Sequence, residues 1–593
     1  MFSDAQRLLQ QYFGYASFRP GQHDIIRSLL ERRDTLGIMP TGGGKSICFQ
    51  IPAMTLPGLT LVISPLISLM KDQVDALATV GIAAASINST LSAAEVRQRL
   101  ADAAQGRLKL LYVAPERLES DRFREAMRQL PIPLVAVDEA HCVSQWGHDF
   151  RPSYRAIAPF IAELPERPIV AAFTATATPE VKRDIVDLLR LRTPAVHITG
   201  FARDNLTLTV LRGENKRDFI TRYVKAHPQQ PGIVYAATRR EVEDLCELLR
   251  KQGVPVGKYH AGMTDDDRTN AQDAFLYDDI RVMVATNAFG MGIDKSNVRY
   301  VIHHNMPKNM EAYYQEAGRA GRDGEPSECM LLFGAQDILM QKFFIEQSQL
   351  EPELKANEYK KLQAMVDFCY SPKCLRNAIL HYFGETDEAA PCNNCSNCKD
   401  ERESLDITVE AQKIFSCIKR MRERFGISMV AAVLKGSASQ KIKQYQFDTL
   451  PTYGLMRNRT EKEISDIINV LVAEGYLGLT EGQYPVVKLQ DGAAQVLQGR
   501  ISVYMKVARK IEVTLSDDRL FERLRELRKE LAQRDKVPPY IIFPDSTLRE
   551  MSEMCPTTPA AMKAIKGMGE IKFGKYGQPF LDLLRDYAGV GDD

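Results

Sequence analysis

The sequence predicts a multidomain α/β protein, with two parallel α/β units first and smaller, mainly helical units after them. Its 593 residues exceed one domain, and the usual domain size favours about four. Short apolar runs alternate with helical stretches in the first part, which is typical of doubly wound parallel sheets. The later segments are largely helical and surround one cluster of cysteines.

The composition excludes several classes of protein. The 77 basic and 76 acidic residues balance, so a polyanion would bind local basic patches instead of the chain as a whole. No apolar run reaches the roughly 18 residues that a membrane span needs, and no secretory signal is visible. The eleven cysteines are scattered apart from one cluster, which suits a reducing compartment. We therefore expect a soluble cytoplasmic protein that does not bind a membrane.

A glycine-rich segment, Met39–Ser46, is the centre of the first unit. It follows the apolar run Thr35–Met39, predicted as a buried strand, and precedes a helix predicted from Ile47. Glycines between a strand and a helix leave backbone N–H groups free to surround phosphate oxygens, and the helix N-terminus favours negative charge. The predicted nucleotide ligands are Thr41, Gly42, Gly43, Gly44, Lys45 and Ser46.

Within this segment, Lys45 is predicted to reach the β- and γ-phosphates, and the Ser46 hydroxyl to hold Mg²⁺. The usual pattern begins with glycine, and Met39 takes that position here. The alternative is a glycine-rich turn that ends in an exposed lysine.

The segment Phe13–Gln22 offers three groups that suit an adenine. Tyr15 provides a ring face, Arg19 a planar cation, and Gln22 an amide that both donates and accepts. An ordinary connection between two helices is the other interpretation.

Two carboxylates, Asp138 and Glu139, follow the apolar run Leu134–Val137. Asp138 is placed to bind Mg²⁺, and Glu139 to orient and deprotonate the attacking water. A helix N-cap is the alternative use of these acids. Ligands of a parallel sheet lie at the carboxyl ends of its strands. Other runs that predict strands of this sheet are Leu59–Ser64, Leu108–Val113 and Ile169–Phe173.

The aromatic segment, Cys142–Arg151, follows the acids and contains the only tryptophan of the sequence. Aromatic rings can stack on nucleic-acid bases while a neighbouring cation holds a phosphate. The predicted DNA contacts are Gln145, Trp146, Phe150 and Arg151. The alternative is a tryptophan buried in the core. Further along, Thr174–Thr178 supplies hydroxyls that can relay the state of the nucleotide.

A second α/β unit begins near Phe201 and has no phosphate loop. Because it cannot bind a nucleotide alone, we expect it to close on the nucleotide of the first unit and to supply Arg319 and Arg322. Exposed helical arginines are the alternative, which the Gly-Arg-Ala-Gly-Arg spacing disfavours. Its predicted strands are Gly232–Tyr235, Val256–Tyr259, Val282–Ala285 and Tyr300–His303.

The cysteine cluster predicts a metal site. Cys392, Cys395 and Cys398 lie on one tight loop, and Cys374 precedes a predicted helix. Four thiolates suit tetrahedral Zn²⁺. The residues alone leave two alternatives open, which are Cys369 as the fourth ligand and an iron–sulfur centre.

The last third of the chain is predicted as a winged helix, a linker and a compact helical unit. The winged helix consists of helical stretches followed by a hairpin, and Ile501–Glu512 is the predicted linker. In the last unit, Tyr540 is a candidate contact for single-stranded DNA. The winged-helix elements are Val409–Glu423, Met429–Leu434, Glu461–Glu474, Tyr476–Thr480 and Val486–Leu489.

Four features together resemble the RecQ family of superfamily-two DNA helicases: Phe18–Gln22, Asp138–His141, the aromatic segment and Thr174–Thr178. The resemblance implies two RecA-like domains that use ATP and Mg²⁺, a zinc-binding helical subdomain, a winged helix and an all-α HRDC module. It implies that Arg322 is the arginine finger and that Gln315 and Arg319 contact the γ-phosphate. It also favours zinc, with Cys374 as the fourth ligand.

The resemblance also predicts domain boundaries. Residues 1–200 and 201–340 are the two helicase domains, and 341–403 the zinc-binding subdomain. The winged helix covers 404–500, the linker 501–512 and the HRDC module 513–593.

The expected function is 3′-to-5′ unwinding of duplex DNA in recombination and repair, driven by DNA-stimulated ATP hydrolysis. The expected partners are single- and double-stranded DNA, and the resemblance suggests single-stranded-DNA-binding protein. We expect a monomer, associated with the nucleoid. One alternative is an RNA helicase, because the ATPase core does not read the sugar. The other is a nucleic-acid-binding scaffold with an inactive ATPase, against which Lys45, Glu139 and Arg322 argue.

Overall fold

The structure is a computed structural model that describes residues 2–147, 149–290, 295–385, 390–399, 404–480, 484–506 and 519–588. It confirms the predicted multidomain α/β architecture, with two parallel sheets followed by mainly helical units. None of the helices in these ranges combines the length and the apolar character that a bilayer crossing requires.

The first unit is built on a seven-stranded parallel sheet. In spatial order its strands are Ala84–Ile87, Leu110–Val113, Thr60–Ile63, Leu134–Val137, Ile169–Thr174, Thr35–Ile38 and Ala195–Ile198. The five inner strands are buried throughout, which explains their continuous apolar runs. The two edge strands, Ala84–Ile87 and Ala195–Ile198, are only partly buried, and the sequence pattern did not predict them.

Alternate residues of these strands belong to two hydrophobic clusters, so both faces of the sheet are buried. A π-helical turn, Leu9–Phe13, continues the first helix. The α-helices of the unit are Phe2–Leu8, Gln22–Leu30, Lys45–Thr55, Ile67–Thr79, Ala93–Ala104, Asp121–Arg128, Ile157–Glu163 and Pro179–Leu188.

The second unit is a six-stranded parallel sheet. In spatial order its strands are Val256–Tyr259, Val282–Ala285, Gly232–Tyr235, Tyr300–His303, Ser327–Phe333 and Leu206–Arg212. The four predicted strands are confirmed, and the last two add a side of the sheet that was not predicted. The helices are Lys216–Ala226, Arg239–Lys251, Asp265–Leu276, Met310–Ala317 and Ala335–Gln347.

Two helices, Pro352–Tyr370 and Leu375–Tyr382, lead from the second sheet to the cysteine cluster. A helical unit with one antiparallel hairpin follows, as predicted, and residues 481–483 at the hairpin turn lie outside the described ranges. Its elements are Thr408–Arg420, Ile427–Lys435, Gln440–Gln444, Glu461–Ala473, Leu477–Leu479, Val487–Leu489 and Asp491–Leu497.

The predicted linker differs from the structure over its first half. Tyr504–Lys506 forms a strand antiparallel to Ser404–Asp406, and the Val503 side chain is buried. Residues 501–506 therefore pack on the preceding unit, because an apolar side chain and a paired strand anchor them there. The rest of the predicted linker, 507–512, lies outside the described residues.

The C-terminal helical unit has its own core and contacts the second α/β unit. Arg549 Nε lies 2.7 Å from Glu325 Oε2, and Lys529 Nζ lies 3.1 Å from Asp279 Oδ1. Its α-helices are Arg519–Asp535, Pro539–Ile542, Asp545–Met554, Pro559–Lys563, Glu570–Lys572 and Gln578–Ala588.

Candidate ATP, DNA and zinc sites

A cleft of about 570 Å³ lies between the two α/β units, and most of the predicted nucleotide ligands line it. The phosphate loop, the acids and the threonines all leave three neighbouring strands of the first sheet, at the same edge. The second unit closes the cleft from the other side. The predicted residues that line it are Tyr15, Arg19, Gln22, Thr41, Gly42, Gly44, Lys45, Ser46, Asp138, Glu139, Gln315, Arg319 and Arg322.

The phosphate loop has the backbone conformation that its glycines allow. Gly42 and Gly44 have φ values of 81° and 79°, in the left-handed region that favours glycine. Gly44 also lies against Gln22, whose amide nitrogen would be 2.4 Å from an added Cβ. Met39 is buried, and its N–H donates to Thr174 O at 3.0 Å, which continues the strand. Because this position needs neither a left-handed backbone nor a close approach, methionine can replace the usual glycine.

The Gln22 and Arg19 side chains tie their segment to the phosphate loop. The Gln22 amide donates to Gly43 O at 3.2 Å and Gly44 O at 3.1 Å, and Arg19 Nη1 donates to Gly42 O at 2.7 Å. Both side chains thus support the loop backbone directly. Their contact with an adenine stays a prediction.

The two acids lie beyond the end of strand Leu134–Val137. Glu139 has φ 46° and ψ 46°, an uncommon left-handed conformation for a residue with a side chain, of the kind that clusters at functional sites. Burial and the adjacent Glu139 carboxylate raise the pKa of Asp138 to about 7, against the opposing effect of Lys45. A cation bound here would relieve that repulsion, so the donor set fits a divalent ion with oxygen ligands.

A series of polar contacts connects the acids to the second unit. His141 Nδ1 lies 3.3 Å from Glu139 Oε2 and 2.9 Å from Thr174 Oγ1. The Thr174 hydroxyl donates to Thr176 O at 3.1 Å, and Gln315 Nε2 of the second unit donates to Thr176 Oγ1 at 3.2 Å. The hydroxyls of Thr174 and Thr176 therefore lie between the acids and Gln315, whereas the Thr178 hydroxyl caps helix Pro179–Leu188. The relay stays a prediction.

The arginine-bearing turn of the second unit touches the phosphate loop. An added Cβ on Gly42 would lie 3.2 Å from the Arg322 Cα. Arg319 is buried, and both arginines line the cleft. The two halves of the predicted site are thus adjacent.

Sequence reasoning missed Arg203, which bridges the two units. Its Nη1 donates to Thr41 O in the phosphate loop, and its Nη2 donates to Ala320 O at 3.0 Å and Gly321 O at 2.7 Å. No motif identifies this lone arginine, since its partners are backbone carbonyls. Lys566 of the C-terminal unit also lines the cleft, next to a close approach of Gly14 and Gly569.

The side chains of the aromatic segment are partly buried against the rest of the protein. Gln145 is exposed and Trp146 half-buried, while the Arg155 guanidinium lies 5.3 Å from the Phe150 ring centroid. Arg151 Nε contacts Asp149 Oδ2 at 3.1 Å, and its Nη1 donates to Pro65 O at 3.0 Å, so it helps to fix the loop. These four DNA contacts stay predictions.

Tyr540 is half-buried where the C-terminal unit meets the second α/β unit. The Lys295 ammonium lies 6.0 Å from its ring centroid. Its ring therefore faces protein, and its contact with single-stranded DNA stays a prediction.

The four predicted zinc ligands meet. The Sγ atoms of Cys374, Cys392, Cys395 and Cys398 all lie within 4.8 Å of one another, and those of Cys392 and Cys398 are 3.9 Å apart. Zinc–sulfur bonds of about 2.3 Å in a tetrahedron require sulfurs about 3.8 Å apart, so this geometry fits zinc. The Cys369 sulfur does not belong to this group of four, which removes the alternative fourth ligand.

The surroundings of the cluster favour a thiolate at Cys374, whereas burial and neighbouring thiols raise the pKa of Cys392 to about 12 and raise that of Cys398 as well. Burial raises the pKa of the Cys374 thiol, but backbone N–H groups of Asn377 and Cys392 and the adjoining thiols outweigh it and lower that pKa to about 7. Backbone N–H groups also contact two other sulfurs, at 3.4 Å from Leu375 to Cys395 and from Asn394 to Cys392.

Five family models match successive parts of the chain. They are the DEAD/DEAH box helicase over 19–184, the helicase conserved C-terminal domain over 215–324, the RecQ zinc-binding model over 335–399, the RQC domain over 401–513 and the HRDC domain over 517–584.

The ATP-dependent DNA helicase RecQ of Bacillus subtilis is 51% identical to this chain, with 100% of each covered. The proteins of that name from Pasteurella multocida and Haemophilus influenzae are each 41% identical, covering 98% and 99% of this chain and 94% and 96% of their own. The chain belongs to the RecQ family of ATP-dependent DNA helicases. Membership confirms the predicted family and favours zinc at the four cysteines over an iron–sulfur centre.

The zinc assignment predicts different results for two cysteine variants of the helicase. Cys374→Ser should lower zinc from about one ion per chain and destabilise the protein, because a closed structural site contributes directly to folding. Cys369→Ser should retain its zinc, since its sulfur lies apart from the cluster. Metal analysis and thermal unfolding of each purified variant would show which of the two cysteines binds zinc. Full zinc in Cys374→Ser, or iron in the unmodified protein, would contradict the assignment.

The bridging geometry of Arg203 predicts a defect in turnover. Arg203→Lys keeps the charge, but an ammonium cannot reproduce the planar fork that contacts both units. We expect ATP turnover to fall about tenfold or more, which corresponds to one lost charge-assisted hydrogen bond. Steady-state kinetics and fluorescent-nucleotide binding would measure this. Unchanged turnover would mean that the carbonyl contacts do not position the site.

Proposed function

We propose that the helicase hydrolyses ATP in the cleft between its two α/β units and uses closure of the cleft to move 3′-to-5′ along one DNA strand. Duplex unwinding in recombination and repair follows from that movement. The observation that carries the proposal is the contact of the arginine-bearing turn with the phosphate loop. Hydrolysis and domain closure are coupled when groups on both sides must act on the same phosphate.

Each group at the cleft has a proposed task. Lys45 and the loop N–H groups bind the phosphates, and Glu139 orients the attacking water and accepts its proton. Arg322 and Arg319 neutralise charge that develops on the transferred phosphoryl group, with Gln315 beside them. Thr41, Gly42, Gly43 and Gly44 shape the loop, and Tyr15, Arg19 and Gln22 are the proposed contacts for the adenine.

Ser46 and Asp138 are proposed to hold Mg²⁺. A hydroxyl and a carboxylate are hard oxygen ligands, and burial beside the Glu139 carboxylate raises the pKa of Asp138, which a bound cation would oppose. The ion would neutralise charge on the β- and γ-phosphates.

DNA is proposed to contact the aromatic segment through Gln145, Trp146, Phe150 and Arg151, and the C-terminal unit through Tyr540. Stacking on an aromatic ring contributes about 1–3 kcal/mol per base. The winged helix is the proposed contact for single-stranded-DNA-binding protein. We propose a cytoplasmic, nucleoid-associated monomer with the domain boundaries predicted from the sequence, except that residues 501–506 belong to the winged-helix unit.

ATP turnover measured with single-stranded DNA, with single-stranded RNA and without polymer tests this function. We expect single-stranded DNA, and not RNA, to stimulate ATP turnover strongly. We also expect unwinding of a duplex with a 3′ tail but not of one with a 5′ tail. Equal stimulation by RNA would favour an RNA helicase. Absence of turnover under all three conditions would favour a binding scaffold.

Lys45→Ala is expected to reduce ATP turnover by about 10²-fold or more, because it removes a charge that acts on the transferring phosphates. The fold should survive, since Lys45 is half-buried and its 3.4 Å contact with Met39 O is weak. Lys251→Ala, at an exposed lysine of the second unit, is the matched control. Turnover of Lys45→Ala within about threefold of the control would refute the assignment.

Arg322→Ala is expected to reduce turnover sharply while ATP binding persists, because a transition-state contact contributes to the rate more than to ground-state affinity. Equilibrium binding of a fluorescent ATP analogue and single-turnover hydrolysis separate the two effects. If affinity and turnover fall together, Arg322 anchors the nucleotide instead.

A further inference from the structure

The aromatic segment contacts a helix that lies beyond both α/β units. Lys361, on helix Pro352–Tyr370, donates through Nζ to the Trp146 carbonyl at 2.7 Å. The same ammonium lies 4.0 Å from the Glu311 carboxylate and 3.6 Å from that of Glu358. Glu311 belongs to helix Met310–Ala317 of the second unit. One ammonium therefore connects a loop of the first unit with a helix of the second.

The charges at this bridge are deeply buried. Lys361 is 8% exposed and Glu311 4%. Buried charges persist when they are paired and hydrogen-bonded, and loss of one partner leaves the other uncompensated. Because screening is weak in such a place, a small movement of Glu311 changes the energy of the ammonium more than it would at the surface. The position of the Trp146 carbonyl is thereby tied to that of Glu311.

The helix that carries Glu311 contacts the first unit in a second place. Glu311 and Gln315 are four residues apart and so share one face of the helix. Gln315 donates to the Thr176 hydroxyl, at the end of the series of polar contacts that begins at Glu139. A displacement of this helix therefore acts on the aromatic segment and on the hydrolysis site together.

We propose that Lys361 is a positioning residue that holds the aromatic segment against the second unit and so transmits DNA binding at the segment to ATP hydrolysis. This inference rests on the proposed function, in which DNA stimulates turnover. Lys361 does not line the ATP cleft. Its effect passes through the Trp146 carbonyl on one side and the Glu311 carboxylate on the other.

The test compares Lys361→Met with Lys360→Met in the full-length helicase. Lys360 is the exposed neighbour on the same helix, so it controls for loss of a lysine at this place. In Lys361→Met the ratio of DNA-stimulated to DNA-free turnover should fall about tenfold, as expected for loss of a hydrogen bond to a charged group. The single-stranded DNA concentration for half-maximal stimulation should change by less than about threefold, because phosphate contacts carry most of the affinity.

Trp146 supplies a second readout, since it is the only tryptophan of the chain. Its emission spectrum should shift in Lys361→Met and respond less to a poly-dT oligonucleotide, whereas Lys360→Met should match the unmodified protein. Lys361→Arg retains a charged donor and should restore most of the stimulation. Normal stimulation with a normal emission response in Lys361→Met would overturn the proposal. A loss of DNA affinity in proportion to the loss of stimulation would also overturn it.

If thermal unfolding shows that Lys361→Met is poorly folded, Glu311→Gln tests the proposal in its place. It retains the bond from Lys361 to Trp146 and removes only the charge on the side of the second unit. We then expect reduced stimulation with normal DNA affinity, and full stimulation would overturn the proposal. The unmodified protein separates this inference from the proposed function, because absence of DNA stimulation there would contradict the function itself.

Discussion

The guanidinium of Arg203 donates to backbone carbonyls on both sides of the ATP cleft, at Thr41 in the phosphate loop and at Ala320 and Gly321 in the arginine-bearing turn. The proposed site depends on this kind of contact, because the groups proposed for hydrolysis are divided between the two α/β units. Lys45 and Glu139 belong to the first unit and Arg322 to the second. Only the bond to Thr41 O joins the two units, so the guanidinium keeps its bonds to Ala320 O and Gly321 O when the units separate.

The fold could be predicted wherever burial leaves its pattern in the sequence. Inner strands such as Leu134–Val137 are buried on both faces and appear as unbroken apolar runs. The edge strand Ala195–Ile198 is half-exposed, so its sequence lacks the unbroken apolar run that identifies the inner strands. Tyr504–Lys506 was assigned to a linker because its pairing with Ser404–Asp406 joins residues about 100 positions apart, which no local pattern encodes. Both strands form because they pair with strands that are distant in the sequence.

The site likewise contains residues that the sequence predicts and residues that it does not. Gly42, Lys45 and Asp138 were predicted because a phosphate loop and a carboxylate pair each have a fixed local spacing. The structure also resolved the choice between Cys374 and Cys369, which spacing had left open. Arg203 and Lys361 could not be found, because each binds backbone carbonyls that any residue provides. Side chains that act by bridging domains leave no signature of their own in a single sequence.

The zinc cluster is joined to the ATP cleft by the residues that follow Arg203. Ser396 N donates to Leu208 O at 2.8 Å, which attaches the cysteine loop to the edge strand of the second sheet. Arg376, two residues after Cys374, contacts Asp204 Oδ1 at 2.7 Å and donates to Leu206 O at 2.8 Å. Arg203 therefore faces the cleft while its neighbours are held by the zinc-binding region. A metal that fixes four thiolates also fixes the backbone from which Arg203 reaches the phosphate loop, so a structural ion stabilises the geometry of hydrolysis without contacting the nucleotide.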